Sequence, residues 1–526
     1  MMRFQVLAVL AALTLTACPP TGVVCKPGTL PCGTGCFDPL ADRRNCGACG
    51  NACLTNQDCG DDGSGAGACL CRPGTTACNG TCVVTSSDSS NCGGCGITCA
   101  ANEVCDNGTC GATCGVGKTR CGLSCVDIAS DVANCGACDV VCAQGQKCLA
   151  GTCDFGAVAA CYWSGQLVGF DPETGVRGAL TDVGSNPGAL ARAGNTVLSA
   201  DGTDNRLYSA EPRAIGGYLQ TNLATTTGSV PNQLLVELPY VYLVNAGTGS
   251  LQVLKQGVDA GVVTLTEGVP AELTLGTVAE LPLGMNTFPQ GLTKVGSTLW
   301  IPLYGGMGEA AADAGQELQL VNIASPEAPV LEGRVSLKNV DLLAFDGGSP
   351  VARPFSITQL DGEVYVALNN LNAATYTVEG PGLLARVNPA DAGVQLIDLG
   401  ADECLNPQWV TTVGDSLAVS CGGRATYDSN FALESVTAAG VVLVKSGART
   451  AAWHSSCAGL DAGSCTFVLP GRIAVSGTKL FVADQNAGRV LVLEAGDGGL
   501  TEAPSLLMCP LNATSGVANV SDILAR

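Results

Sequence analysis

Cysteine is the residue type in this chain with the most chemistry to offer, and its spacing is regular. The sequence holds 31 cysteines against one histidine, His454. Twenty-four of them, from Cys25 to Cys153, fall into three blocks of eight that begin at Cys25, Cys71 and Cys114. Each block runs C-x6-C-x3-C-x9-C-x2-C-x3-C-x5-C before its eighth cysteine. Only the last interval varies: Cys59 to Cys69 is five residues longer than Cys105 to Cys110 or Cys148 to Cys153, and a loop insertion costs little closure entropy. Pairs of C-x2-C can hold zinc. With no histidine before residue 454, and with the export leader described below, disulfides are the chemistry expected.

The neighbours of the cysteines repeat as well. Asp42 and Asn45, Asp88 and Asn91, and Asp131 and Asn134 precede the three central C-x2-C pairs, and Asp and Asn side chains close tight turns on their own backbone. A unit of roughly 43 residues buries too little apolar surface to fold unaided. Four disulfides per block substitute for a core, each contributing about 2–4 kcal/mol. Spacing leaves the connectivity open among on the order of a hundred pairings. The elements C-x3-C, Asn-Cys-Gly-x-Cys and C-x5-C, found three times over residues 25–153, resemble the stigma-specific cysteine-rich family. The resemblance implies a secreted disulfide module and no particular partner.

Upstream, Met1 to Ala17 carries one basic residue, Arg3, and then an apolar run from Phe4 onward. This reads as a signal peptide, too short to remain as a membrane span. Its end, Leu15-Thr16-Ala17-Cys18, resembles the bacterial lipobox. That resemblance implies cleavage after residue 17, lipid modification of Cys18, a short tether over 18–24 and a membrane partner through the lipid. Parity agrees, because 31 cysteines cannot all pair within one chain, while removing Cys18 leaves 24 plus six. Pro19 and Pro20 stand where the commonest sorting rule has aspartate for inner-membrane retention. The expected location is therefore the outer membrane, on its periplasmic side or at the cell surface. A formal net charge of −21, from 46 acidic and 25 basic residues, disfavours nucleic acid as a partner.

Cysteine repeats occupy 25–70, 71–113 and 114–153, and the composition changes over Asp154 to Ala157. From 157 to 526 short apolar runs alternate with Gly, Pro, Asn and Asp, and no long helical stripe occurs, so the fold class is mostly β. A Pro- or Gly-headed strand, a turn and a second strand recur from Asn186-Pro187, Val230-Pro231, Phe288-Pro289, Arg353-Pro354, Asn406-Pro407 and Leu469-Pro470. Six full units and two halves, around Ala157 and around Val520, make a seven-bladed β-propeller the expected architecture, with six or eight blades as alternatives. The long step from Pro231 to Pro289 leaves room for an inserted hairpin or a short extra blade. Leu480 to Leu493 resembles an NHL-type or YVTN-type blade. In such a ring the carboxy-terminal strand lies innermost in the seventh sheet, and the amino-terminal strands complete it. Cys161 and Cys421 occupy one repeat position, Cys509 and Cys404 another. Cys161–Cys509 and Cys404–Cys421 are therefore expected as equivalent staples, with Cys457–Cys465 as a local pair.

Catalytic chemistry is sparse. His454, within Ala452 to Cys457, reads as a surface-loop histidine. No G-x-S-x-G, H-E-x-x-H, phosphate-cradling loop or dinucleotide fingerprint occurs. Asp201 to Asn205 offers oxygen ligands but reads as a turn, so no metal site and no cofactor are expected. The loops after each second strand share the face of the two staples. They carry Tyr304, Asn369, Asn370, Tyr376, Arg424, Tyr427, Asp428, Gln485 and Asn486, a mixture of aromatic, amide and guanidinium groups suited to a protein or glycan ligand. The sequence thus reads as an exported, lipid-anchored binding or scaffold protein. The alternative is a propeller enzyme, a lyase or glycan hydrolase using carboxylates near the central channel.

Overall fold

Eight cysteines in about 43 residues admit few arrangements that also let each turn close, and one pairing scheme recurs. The computed structural model describes residues 30–526 except 33–34, 41, 55–56, 62–66, 73, 215, 307–314, 339, 428–432, 456–467, 497–498 and 512–517. Block two joins first to third, second to fifth, fourth to seventh and sixth to eighth cysteine, as Cys71–Cys82, Cys78–Cys95, Cys92–Cys105 and Cys99–Cys110. The same scheme appears in Cys32–Cys49, Cys46–Cys59 and Cys53–Cys69, and in Cys114–Cys125, Cys135–Cys148 and Cys142–Cys153.

The recurring Asp and Asn set the turn between those cysteines. The Asp88 carboxylate accepts the Ser90 amide at 2.8 Å and the Asn91 side-chain amide at 2.9 Å, and Asn91 Oδ1 accepts the Gly96 amide at 2.8 Å. Asp42 and Asn45 repeat these bonds to Arg44 and Gly50. Glycine inside Asn-Cys-Gly is obligatory for a second reason. Gly93 has φ +78°, and a Cβ there would lie 2.5 Å from the Gly108 carbonyl oxygen; Gly136 meets the Gly151 carbonyl in the same way.

The chain clusters into two units, Met1–Ile128 and Ala129–Arg526. In the second, seven sheets of four strands succeed one another among the described residues, one of them with a fifth strand. Their first strands are β1 (Pro187–Ala193), β2 (Pro231–Glu237), β3 (Thr293–Val295), β4 (Pro354–Leu360), β5 (Pro407–Val413), β6 (Pro470–Ser476) and β7 (Val520–Ala525). Sheets are numbered here by these strands as blades 1 to 7. The strand β7 pairs antiparallel with Ala157–Cys161, with Ala525 opposite Ala157 and Ile523 opposite Ala159, so the seventh blade joins the two ends of the domain.

Second strands read as unbroken apolar runs because both of their faces are buried. In blade 4, Val364 and Val366 pack toward Trp300 and Leu318 of blade 3, while Tyr365 and Ala367 pack toward Leu417 and Val419 of blade 5. Blade 6 divides alike: Leu480 and Val482 face Ala418 and Val441, whereas Phe481 and Ala483 face Ala157 and Phe170 of blade 7. Each of seven such clusters lies between two successive blades, including blades 7 and 1, where Val158 and Leu167 meet Leu190 and Val197. The sequence of contacts closes on itself as a propeller. The extra length before Pro289 is neither a blade nor a separate hairpin: Val262–Thr264 adds to the outer strand Gly217–Thr226 of blade 1.

In blades 1 to 6 the last residue of the second strand faces a proline at or just ahead of the first strand, as in Pro187 opposite Asp201, Pro407 opposite Cys421 and Pro470 opposite Asp484, and in blade 7 Cys161 faces Val520. This position ties the strand to the lead-in loop by two chemistries. In blades 5 and 7 it is cysteine, and Cys404–Cys421 and Cys161–Cys509 are disulfides. In blades 1 and 6 it is aspartate: Asp201 Oδ2 accepts the amides of Ser185 at 2.7 Å and Asn186 at 2.6 Å, and Asp484 Oδ1 accepts that of Leu469 at 3.1 Å. Asp201 Oδ1 also accepts the Thr203 and Asp204 amides, so the Asp201 to Asn205 oxygens are engaged in a turn. Cys457 and Cys465 lie outside the described residues.

The change of composition over 154–157 does not coincide with the structural division of the chain. From Ala129 onward block three clusters with the propeller, because Gln146 Nε2 donates to the Arg213 carbonyl at 2.8 Å and Asn195 Nδ2 to Thr152 Oγ1 at 2.7 Å. Asp154, fully buried, is matched by Arg192 at 2.6 Å and by the Tyr218 hydroxyl; a buried carboxylate persists only with such partners. Replacing Gly93 with alanine should destabilise block two by about 1–3 kcal/mol, from positive φ and the close approach together. The expected readout is faster proteolysis between Cys71 and Cys110 with the propeller's thermal unfolding unchanged.

Candidate functional site

Two features occupy the centre of the propeller, and the first is a crossbar. Arg472, the third residue of β6, donates Nη1 to Asp522 Oδ2 at 2.9 Å and to Gln233 Oε1 at 2.8 Å, and Nη2 to the Asn232 carbonyl at 2.6 Å. Blades 6 and 2 stand three places apart in a ring of seven, so this side chain crosses the axis. Its guanidinium lies 4.6 Å from the Trp409 ring centroid, a favourable cation–π distance. Asp522 on β7 is saturated in turn, with Oδ2 also accepting the Leu190 amide at 2.7 Å and Oδ1 the Ile523 amide. Burial pushes the Asp522 carboxyl above the usual carboxylate range, while Arg472 and these amides pull it back. Asn232 Nδ2 continues the tie to Gln290 ahead of β3. The Asp522 carboxylate and the Arg472 guanidinium thus tie blades 7, 1, 6 and 2 together.

The second feature is an open cavity of about 730 Å³ at the loop ends of blades 4, 5 and 6. One wall is the run Tyr376, Thr377 and Val378; the other is Arg424, Ala425 and Thr426. Both belong to insertions on the basic four-strand plan: Pro350–Val351 pairs with Leu371–Asn372 above blade 4, and Arg424–Tyr427 pairs with Leu433–Thr437 above blade 5. The floor carries the amides of Asn406, Gln408 and Gln485, and Phe345 closes one end. Arg424 is exposed, donates Nη2 to the Val378 carbonyl at 2.9 Å, and holds its guanidinium 5.3 Å from the Phe345 centroid. Gln485 lies across Gly471, where any Cβ would come within 2.6 Å of its amide. Glu379 is spent on structure, its oxygens accepting the Ser349 amide and the Asn372 side chain.

Of the residues expected on this face, Tyr376, Arg424 and Gln485 line the cavity. Asn369 and Asn370 are buried and are corrected to supporting roles, and the half-buried Tyr304 does not line the cavity. Asn369 Nδ2 donates to Asn406 Oδ1 and to the Pro407 carbonyl of the next blade, and Asn370 Nδ2 donates to the Leu343 and Pro381 carbonyls. Tyr304 stacks parallel to Tyr376 with centroids 6.0 Å apart, and burial pushes its hydroxyl well above the usual tyrosine range. Beneath them the buried Arg353 donates to the carbonyls of Gly305, Gly306 and Ala373. Asn486 sits in the turn after Asp484, which accepts its amide at 3.0 Å, and does not reach the cavity. Asp428 and the side chain of Tyr427 lie outside the described residues, as does Cys18. His454 ends an outer strand of blade 5 instead of lying in a loop.

Sequence reasoning passed over Phe345, Gln408 and the Arg472–Asp522 pair. A signal existed for each: an unusually long connection ahead of Arg353, a polar residue beside a strand-heading proline, and single charges inside the apolar runs that head blade 6 and end the chain. In the cysteine blocks the sulfurs of Cys92, Cys99 and Cys110 come within 4.8 Å of one another. Each is already in a disulfide, which removes the thiolate that a metal needs.

Residues 106–156 match the Stigma-specific STIG1-like protein family, a span that covers the third cysteine block. Among curated proteins none matches the chain. Solved structures of similar fold include apo AztD from Citrobacter koseri, 15% identical, covering 70% of this chain and 97% of that one with a TM-score of 0.41. A putative 6-phosphogluconolactonase from Bacteroides fragilis is 15% identical over 70% of this chain and 96% of that one, TM-score 0.45. The periplasmic gluconolactonase PpgL of Pseudomonas aeruginosa is 15% identical over 70% and 97%, TM-score 0.39. These are likenesses of fold and do not bear on the ligand.

Arg472→Met strands the Asp522 carboxylate, which is 6% exposed, and should cost about 3–5 kcal/mol at neutral pH. Because the folded-state value of Asp522 is raised, the stability tied to its protonation is full below the unfolded value of 3.8 and lost as pH rises through the folded value. Loss of the guanidinium widens that window. Urea unfolding should show the variant's deficit shrinking as pH falls from 7 toward 4; a deficit that stays constant would contradict the pairing.

Proposed function

We propose that this chain is an exported, lipid-anchored protein of the bacterial envelope, facing the periplasm or the cell surface, whose propeller recognises a protein or glycan partner through the cavity of blades 4 to 6. The observation that carries this reading is the contrast between the two central features. At the axis, charged groups are consumed in holding the ring. At the loop face, an open space of about 730 Å³ gathers an aromatic end wall, three side-chain amides and the exposed Arg424. Such mixtures of apolar surface and a few convergent polar groups are what ligand-binding clefts present.

The axial arrangement also argues against the enzyme alternative. General acid–base work by carboxylates requires an oxygen within reach of substrate, whereas both Asp522 oxygens already accept bonds from amides or from Arg472. Attachment rests on the leader ending in Leu15-Thr16-Ala17-Cys18 and on the odd cysteine count that Cys18 resolves. In this reading the three disulfide modules form a protease-resistant spacer.

Pull-down from envelope fractions, paired with a glycan array, tests the binding face. Arg424→Ala combined with Gln485→Ala should lower retention of any captured partner by tenfold or more while leaving thermal unfolding unchanged; undiminished capture would remove the cavity from consideration. Metabolic labelling with radioactive palmitate tests the anchor. The wild-type chain should take up label and Cys18→Ala should not, with the variant shifting to the soluble envelope fraction.

A further inference from the structure

We propose that the outer edge of the strand Arg424–Tyr427 takes up an extended segment of a protein partner as an added β-strand, with an acidic side chain of that segment meeting Arg424. This deepens the recognition reading above and rests on it. The ribbon is two strands only: Arg424 pairs with Thr437, Ala425 with Val436 and Thr426 with Ser435. In an antiparallel pair, alternate residues turn their N–H and C=O groups away from the partner strand. On this ribbon the side turned away faces the cavity, since Arg424, Ala425 and Thr426 line the space and Ser435, Val436 and Thr437 do not.

Exposed edges are ready templates for pairing, and proteins usually blunt them with proline, bulges or several charges. Here the sequence is Arg-Ala-Thr-Tyr, strand-forming with one charge, and pairing is regular from Arg424 to Thr426, with a register shift only between Thr426 and Tyr427. The lead-in is Gly422-Gly423, with Gly423 at φ +71°, which stands the ribbon up on the face. The run Tyr376 to Val378, with Tyr376 at φ +57°, also lines the space, so an incoming strand meets a second surface and not only a flat rim. The floor amides of Asn406, Gln408 and Gln485 can donate and accept, matching the alternating polar groups of a peptide backbone more readily than a uniform row of hydroxyls.

Charge selects the side chain. Arg424 spends Nη2 on Val378 and rests over Phe345, a fixed guanidinium beside the cavity, and such groups favour carboxylate in a two-pronged bond. The chain's net charge of −21 repels an acidic segment at long range, so Arg424 sets register and choice of partner and does not speed encounter. Backbone pairing supplies the affinity and alternate side chains the selectivity, as in strand addition generally.

The test uses the full oxidised chain against a phage-displayed library of random decapeptides, alongside a glycan array. Enriched peptides are synthesised with and without N-methyl groups at alternate residues, and with Glu or Asp replaced by the amide. Expected are hits carrying one acidic residue in an alternating pattern, at least tenfold weaker after N-methylation in one of the two phases. Arg424→Gln should abolish the preference for acid over amide while keeping the sensitivity to N-methylation. Thr426→Pro, judged only if its thermal unfolding matches wild type, should lose binding of all hits. Peptides indifferent to N-methylation, or an acid preference that survives Arg424→Gln, overturn the proposal. Glycan binding without peptide enrichment overturns it while leaving the recognition face standing, and no binding in either format overturns both.

Discussion

Closure of the seventh blade is the constraint on which the rest of the propeller depends. Its inner strand, Val520–Ala525, pairs with Ala157–Cys161 from the other end of the domain, and the Cys161–Cys509 disulfide spans a sequence separation of 348 residues. In the chain-entropy picture a cross-link over a loop of that size restrains the unfolded state by about 5–6 kcal/mol. Without the pairing, the clusters between blades 6 and 7 and between 7 and 1 each lose a wall, and Asp522 no longer sits where Arg472 can reach it. The loop ends that enclose the cavity converge only because the circle is complete.

One structural problem is solved twice in this ring. In four blades the end of the second strand is fastened to the loop that leads into the first, with cysteine in blades 5 and 7 and with aspartate in blades 1 and 6. The two devices respond differently to conditions. A disulfide holds at any pH and yields to reductant, while an aspartate accepting amide bonds responds to pH. Burial raises the Asp484 carboxyl, so the stability tied to its protonation is present in acid and lost as pH rises through the folded value. The covalent fasteners fall where a local bond would serve least, at the seam and at the blade that carries the inserted ribbon.

Repetition made most of the architecture legible in the sequence. Pro-headed strands, apolar second strands and the cysteine spacing are each repeated, and repeated features report local geometry that recurs in every unit. The seam was legible because Cys161 and Cys509 hold the positions of Cys421 and Cys404. Connectivity within the cysteine blocks was not, since spacing alone does not order sulfurs in space. The site was half legible for a related reason. Arg424 and Gln485 belong to loops whose place in the repeat is known, but Asn369 and Asn370 look identical to surface amides until the carbonyls of Pro407, Leu343 and Pro381 are seen to occupy them. Arg472 meets Gln233 across 239 positions of chain, and no local pattern carries that distance.

A final consequence concerns biosynthesis. Ala157–Cys161 emerges long before Val520–Ala525, so its sheet waits, one strand short, while six others are made. Until then Cys161 remains a thiol open to premature oxidation with the wrong mate, and a prematurely terminated chain can never acquire the correct one. The bond between the first and last propeller cysteines, Cys161 and Cys509, thus doubles as a molecular receipt for translation of the ring up to its closing blade.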